Sequence, residues 1–183
     1  MYLVDTNVVS EARRGTPQAV NWLRSIDPLS VHLSVITLGE IMRGITLKQK
    51  SDPRGAAPLA EWLQKLRHDH ADRILGITDQ IAIEWGRIAA LRPRGDADGL
   101  IAATAIVHDL IIVTRNVEDF DDTRASVINP WDTGEQLPSG KANILSPPLL
   151  ATRCPHPLRL RRRLETFCQL SNPRLRNRII VSS

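Results

Sequence analysis

Short apolar, β-branched runs alternate along this chain with segments of helical period, and that alternation limits the fold more than any other feature. Residues 2–4, 31–35, 74–77 and 110–113 each read as a brief strand. Between them apolar positions recur at helical spacing: residues 8–14, then Val20, Leu23 and Ile26 behind Thr16-Pro17, then residues 36–47 with Ile36, Ile41 and Ile45. Leu59, Leu63 and Leu66 mark a further helix, Asp79 opens one that uses Ile81, Trp85, Ile88 and Leu91, and residues 96–107 form a strongly apolar last one. Strands separated by whole helices cannot pair as hairpins and are joined by crossovers, which produce a parallel sheet. The expected fold class is α/β, a three-layer arrangement with a central parallel sheet flanked by helices. The continuous apolar run at 110–113 suits a strand buried on both faces.

Turn residues punctuate this pattern. Asp5-Thr6-Asn7 reads as a polar turn after the first strand, Gly15 as the end of the first helix, and Asp52-Pro53-Arg54-Gly55 as a link. Pro93 and Gly95 stop the fifth helical segment. Beyond Asn129-Pro130-Trp131 the alternation fails: residues 135–183 carry six prolines, the run Arg161-Arg162-Arg163 and no sustained period. The expected organisation is a domain over 1–134 and a basic, largely disordered tail over 135–183.

The net charge of +4 belongs to that tail. Residues 1–134 hold 15 Lys+Arg and 18 Asp+Glu, a net of −3, whereas residues 135–183 hold 9 and 2, a net of +7. Bulk attraction therefore cannot bring a polyanion to the body. Both cysteines, Cys154 and Cys168, also lie in the tail, so the body has no disulfide framework and suits a reducing cytosol. No leader-like start and no apolar segment of about 18 residues is evident, and the expectation is a cytoplasmic protein without a membrane span.

Acids stand where open α/β sheets place ligands, just beyond strand ends and in helical first turns: Asp5 after the first strand, Glu40 and Asp98 near helix starts, and Asn116 with Asp119 after the last strand. Taken singly, each has an ordinary explanation. Asp5 suits an Asx turn or N-cap, Glu40 a capping-box partner or solvated residue, Asp98 a charge on the helix dipole behind Asp96, and Asn116 with Asp119 a turn. Gathered in one crevice they repel, each pair at ~4 Å costing roughly 4 kcal/mol at an effective dielectric of about 20, and a hard divalent cation removes that cost. His32, His68, His70 and His108 are scattered without zinc-like spacing, so oxygen ligands and Mg2+, or Mn2+, are the expected chemistry. Phosphodiester hydrolysis by an activated water follows from such a site.

Leu3-Val4-Asp5-Thr6-Asn7, Ile36-Thr37-Leu38-Gly39-Glu40-Ile41, residues 98–105 (DGLIAATA) and Val113-Thr114-Arg115-Asn116, closed by Asn129-Pro130-Trp131, together resemble the VapC and FitB toxins of bacterial type II toxin–antitoxin systems. The resemblance spans residues 1–132. It implies a PIN domain, an endoribonuclease dependent on Mg2+ or Mn2+, and inhibition by a cognate antitoxin whose C-terminal segment covers the site. It also implies a homodimer that forms a larger hetero-oligomer with the antitoxin. Asp5, Asp98 and Glu40 would hold the metal and act in catalysis. FitB-like relatives carry Asp where Asn116 stands, while many VapC sequences share Thr-Arg-Asn with an acid three residues on, here Asp119. A weaker second metal site or a catalytic contribution from Asp119 accommodates the departure.

Thr6, Asn7 and Thr114 are expected to orient the carboxylates, and Arg115 to meet a phosphate or to stand as a solvated strand-end cation. Thr104, nearly two turns beyond Asp98, is assigned to packing. RNA affinity should rest on local cations, with Arg13, Arg14, Arg43 and Arg94 as candidates. Trp22, Trp62, Trp85 and Trp131 can stack bases, although their setting among aliphatics suits a core or interface. A catalytically silent PIN-like module acting through antitoxin or nucleic-acid binding is the alternative. A phosphatase or other doubly wound magnesium enzyme with nucleophilic Asp5 would need an acid where Asn7 stands and a lysine near Arg115. For the tail, contact with RNA or a partner competes with an extension of no selected structure.

Overall fold

The computed structural model of the protein describes residues 1–91 and 95–132. Five parallel strands make one sheet: β1 (Tyr2–Val4), β2 (Val31–Ser34), β3 (Ile74–Leu75), β4 (Ile111–Val113) and β5 (Val127–Ile128), ordered β3-β2-β1-β4-β5. The chain begins in the middle of its own sheet, with Tyr2 in register with Val31 on one side and Ile111 on the other. Among the described residues six α-helices complete the layers: α1 (Thr6–Arg14), α2 (Pro17–Ser25), α3 (Val35–Ser51), α4 (Pro53–Asp69), α5 (Asp79–Ala89) and α6 (Asp96–Val107).

Side chains alternate across a strand, and this pleat sorts the core into two. Val4 and Val113 join Val8, Leu23, Ile41 and Leu63 in a cluster with α1 to α4. Their neighbours Leu3 and Ile112 join Ile81, Ile88, Ile101 and Phe120 in a second cluster with α5 and α6. Leu3, Val4, Ile112 and Val113 are all inaccessible, as the continuous apolar run at 110–113 implies for a strand covered on both faces. Each aliphatic side chain so buried contributes about 1.5–3 kcal/mol before conformational entropy is set against it. The three-layer α/β fold expected from the alternation is the fold observed.

Several local readings change. Asp5-Thr6-Asn7 is no turn: Asp5 caps α1 and Thr6 and Asn7 are its first residues. The second strand is one residue shorter than expected because Ser34 caps α3, its hydroxyl accepting from the Ile36 amide at 3.1 Å. Since α3 starts at Val35, Glu40 falls in its second turn and not its first. Asp52 to Gly55 is not a link but a helix junction. The Asp52 amide donates to Lys48 at 2.7 Å to close α3, and its carboxylate accepts from the Gly55 amide at 2.9 Å to open α4. Pro53 there occupies the one helical turn where a missing N–H costs nothing. The sequence signals of a turn and of a helix start are the same residues. Thr78, not Asp79, caps α5.

Gly15 does end α1, at φ 83°, with its amide and that of Thr16 donating to Ala12 and Glu11. Strand β5, which has no periodic signal in its two residues, is held by backbone bonds from Ile112 to Ser126 and from Thr114 to Ile128. Thr104 is buried with its hydroxyl on the Leu100 carbonyl, the packing role expected. Trp22, Trp62 and Trp131 pack against the first cluster and Trp85 against the second. Pro93, Arg94, residues 133–134 and the basic segment 135–183 with Cys154 and Cys168 lie outside the described residues. Among the described residues no helix is long and apolar enough to cross a membrane.

Candidate active site

Sheet order reverses at β1: β2 and β3 extend to one side and β4 and β5 to the other. At such a switch point the helices diverge and leave a crevice beyond the carboxyl ends of the central strands. Asp5 leaves β1 and Thr114 leaves β4 at that place, and the Asp5 amide donates to the Val113 carbonyl at 3.0 Å to keep them together.

The three residues that follow β1 divide the construction of the site. Asp5 is its centre, only 7% exposed. Its Oδ1 accepts from the Thr6 amide at 2.6 Å, and its Oδ2 accepts from Asn7 Nδ2 at 2.7 Å and Thr114 Oγ1 at 2.8 Å. Thr6 reaches the other way, donating its hydroxyl to Glu40 Oε2 at 2.5 Å and so tying α1 to α3. Asn7 spends its second amide hydrogen on Thr114 Oγ1 at 2.9 Å and accepts from the Arg115 amide at 3.2 Å. Those contacts fix which end of the amide is oxygen. The Thr114 hydroxyl, having given its proton to Asp5, also accepts from the Asn116 amide at 3.1 Å. Asn116 thus enters the network through its backbone, and the Asp119 amide follows by donating to the Asn116 carbonyl at 3.3 Å.

Asp98 lies in the first turn of α6. Its carboxylate folds back over Gly95, where a Cβ would stand 2.8 Å from Oδ2, so a side chain at 95 and this carboxylate position exclude each other. Burial is the main reason that the Asp5 carboxyl is pushed up from 3.8 to about 6. The bonds from Thr114 and the Thr6 amide oppose the shift, and the negative charges of Glu40 and Asp98 add to it. The fold thus brings the charges of the other two predicted acids, Glu40 and Asp98, to bear on Asp5, and every donor named on Asp5 is neutral.

A sequence model of the PIN domain matches residues 2–125. The chain belongs to the PIN-domain family. It is similar to the toxin FitB of Neisseria gonorrhoeae, at 35% identity over 72% of this chain and 99% of that protein. The crystal structure of FitAcB from the same organism superposes with a TM-score of 0.65 over 72% of this chain and 99% of the other. The VapC ribonuclease Y4jK of Sinorhizobium fredii is 28% identical over 72% of this chain and 99% of its own length. A toxin–antitoxin complex from Klebsiella pneumoniae contains a chain that is 25% identical, with a TM-score of 0.55, over 72% of this chain and 98% of that one.

In this PIN domain the donor set suits a hard divalent cation in kind: carboxylate oxygens, with hydroxyl and amide groups behind them. The high carboxyl of Asp5 is the signature of a buried negative charge that a cation would relieve. Among the described residues no three acidic or histidine side chains form a ready ligand group. Glu40 rests on Thr6 and Asp98 lies over Gly95, so an ion held by all three needs those two side chains to turn toward Asp5.

Two contributors had gone unread in the sequence. Ser34, wholly buried, sets where α3 begins and hence where Glu40 points; a serine ahead of a helical period was the available signal. Gly95 makes room for Asp98, a steric reason that spacing does not carry.

Proposed function

We propose that this PIN domain is a divalent-metal-dependent endoribonuclease and the toxin of a toxin–antitoxin pair. The observation that carries the reading is Asp5: a buried carboxyl raised to about 6, hydrogen-bonded by Thr6, Asn7 and Thr114, and acted on by two further acids. Such a cluster costs folding energy and has a use when a cation joins it. Asp5, Asp98 and Glu40 would hold Mg2+, with Mn2+ as a substitute, and Asp119 is the fourth acid, reached through Asn116. When bound, the ion acidifies a water and neutralises charge that develops on the phosphodiester.

The chain's own residues do the rest. Thr114 and Asn7 keep the Asp5 carboxylate oriented, Thr6 holds that of Glu40, and Arg115 stands beside them as a cation for the substrate. Attack by water on phosphorus breaks the P–O3′ bond and leaves a 5′-phosphate and a 3′-hydroxyl. The names of FitB as a toxin and Y4jK as a ribonuclease support the activity, and the Klebsiella complex supports an antitoxin partner. The family resemblance of the sequence motifs extends the proposal to a chain that pairs with itself and, with its antitoxin, forms a larger assembly in the cytoplasm.

The test is cleavage of end-labelled RNA by antitoxin-free protein with Mg2+ or chelator, followed by end-group analysis. The expected result is metal-dependent cleavage to 5′-phosphate ends, lost in Asp98→Asn. A folded Asp98→Asn chain that still binds the antitoxin and cleaves at the wild-type rate overturns the assignment. A wild-type chain that binds the antitoxin and cleaves nothing turns the reading to a silent PIN-like binding module.

A further inference from the structure

The body must hold RNA with local cations, because residues 1–134 are net −3. Four arginines of the described body are already engaged. Arg73 is buried on Asp72, Arg87 and Arg124 sit on Glu84, and Arg13 lies over Trp62 with its guanidinium driven down by burial. Arg115 differs in place and setting. It is exposed, it follows the threonine that bonds Asp5, and its amide is anchored on Asn7 at 3.2 Å. Its guanidinium lies over the Trp131 ring, 5.8 Å from the centroid.

Trp131 is held for this role by its own turn. Asn129 Oδ1 accepts the Trp131 amide at 3.0 Å, Asn129 Nδ2 donates to Asp132 at 3.0 Å, and the Asp132 amide donates to the Asn129 carbonyl at 3.2 Å. One side of the indole packs against the core cluster of α1 to α4, and the residue remains partly exposed. Strand pairing sets the distance: Val113 is in register with Ile128, and the Thr114 amide donates to the Ile128 carbonyl at 3.1 Å. The carboxyl ends of β4 and β5 therefore deliver a cation and an aromatic face side by side, one residue from the Asp5 network. Along α1, Glu11 feels the charge of Arg115 after its nearer partners Thr16 and Arg14, which places the guanidinium at the rim between α1 and Trp131.

We propose that Arg115 and Trp131 form the docking site for a nucleotide next to the scissile bond of single-stranded RNA, the guanidinium taking its phosphate and the indole its base. This rests on the ribonuclease reading of the neighbouring acids. A guanidinium matches a phosphate with two parallel N–H donors, and an indole face stacks any base that is not already stacked in a duplex. In the free protein the guanidinium covers the ring face; an arriving phosphate draws it aside and the base takes its place. The pair selects single strands over duplex and is tolerant of sequence, since every base has a π face.

The test uses the full chain, so that the basic C-terminal segment contributes equally to every variant, with labelled single-stranded and duplex oligoribonucleotides in chelator to prevent cleavage. Arg115→Ala is expected to weaken single-strand binding about 10-fold and to reduce the slope of log affinity against log salt by about one. Trp131→Leu is expected to weaken it about 5- to 100-fold with the slope unchanged and little effect on duplex, while Trp131→Phe, which keeps the packing and a ring, retains most of the affinity. In Mg2+, Arg115→Ala raises KM more than it lowers kcat. Wild-type affinity and slope in Arg115→Ala together with wild-type affinity in Trp131→Leu overturn the proposal, as does an equal loss on duplex, or a loss of antitoxin binding with RNA binding intact. The two readings fail separately: a chain that cleaves nothing yet loses RNA affinity in these variants keeps the docking site and loses the ribonuclease, whereas unaltered binding in a chain that cleaves does the reverse.

Discussion

Two carboxylates of this PIN domain are almost equally hidden, Asp5 at 7% and Glu84 at 5% exposure, and they have opposite characters. Glu84 on α5 meets two guanidinium groups, Arg87 at 2.9 Å and Arg124 at 2.5 Å, which hold its carboxyl below the ordinary value. Asp5 is met by neutral donors and by the negative charges of Glu40 and Asp98, and burial pushes it up to about 6. Glu84 is compensated within the chain and ties α5 to the segment before β5. Asp5 is uncompensated, and the domain keeps it ionised at a cost of about 3 kcal/mol at neutral pH, taking ~1.4 kcal/mol per unit of displacement. A charge balanced by the protein's own arginines serves structure; a buried one raised among like charges is what the proposed cation would relieve.

The most severe way to test that contrast is Asp5→Asn. Cleavage is expected to fall by about 10³-fold, the scale of removing one group that stabilises developing charge, while metal-free stability at pH 7 rises by up to about 3 kcal/mol, because asparagine still caps α1 without an ionised oxygen. Cleavage assays beside urea unfolding check both. A loss of stability together with activity would make Asp5 a structural cap and end the contrast.

Acid separates the two carboxylates next. Asp5 keeps its proton to a higher pH folded than unfolded, so metal-free stability declines as pH rises from about 4 to about 6, and saturating Mg2+ at a hundred times its Kd restores about 2.7 kcal/mol. Glu84 behaves inversely: its contribution is present above its ordinary value of 4.5 and is lost as pH falls below it. Difference curves of wild type against Asp5→Asn and against Glu84→Gln should slope in opposite directions, measured by thermal unfolding across pH 3–7.

Thr114→Val sharpens the first half of the comparison. It removes the largest of the contacts that lower the Asp5 carboxyl, and cleavage should drop about 10- to 100-fold with a steeper demand for metal, read from a Mg2+ titration. The smallest effects belong to the second half. Glu84→Gln should cost about 1 kcal/mol, and Arg124→Ala, with its side chain 76% exposed, less than that, both leaving cleavage within about twofold. A large loss of cleavage in Arg124→Ala would join this ion cluster to the active site and blur the distinction.

Much of this was open to reading along the chain. Alternation of period placed β1 to β4 and all six described helices, because a buried strand or an amphipathic helix needs its apolar residues at fixed local intervals. Misreadings fell where one residue type serves two ends. Asp52-Pro53 joins α3 directly to α4, and Asp5-Thr6-Asn7 opens α1, since a cap and a turn both need a short polar side chain on a free amide. Strand β5 had too few residues to show a period and exists because β4 offers it an edge.

The acids themselves were legible as residue types at strand and helix ends, and the order of Asp5, Glu40 and Asp98 within their motifs, followed by Thr114-Arg115-Asn116, carried the family resemblance. What each one touches was not. That Thr6 holds Glu40, that Asn7 spans Asp5 and Thr114, that Gly95 makes way for Asp98 and that Arg115 lies over Trp131 are contacts between residues remote in sequence or set by a local steric fit. Burial acts through the whole fold, so the raised Asp5 and the lowered Glu84 are two environments for the same chemical group. The sequence by itself determined the layers and the kind of chemistry, because hydrophobic period and carboxylate oxygens are properties of single residues in local order. Only the tertiary structure decided which buried carboxylate is pushed up and which is held down, because solvent exclusion and neighbouring charge are properties of the packed chain.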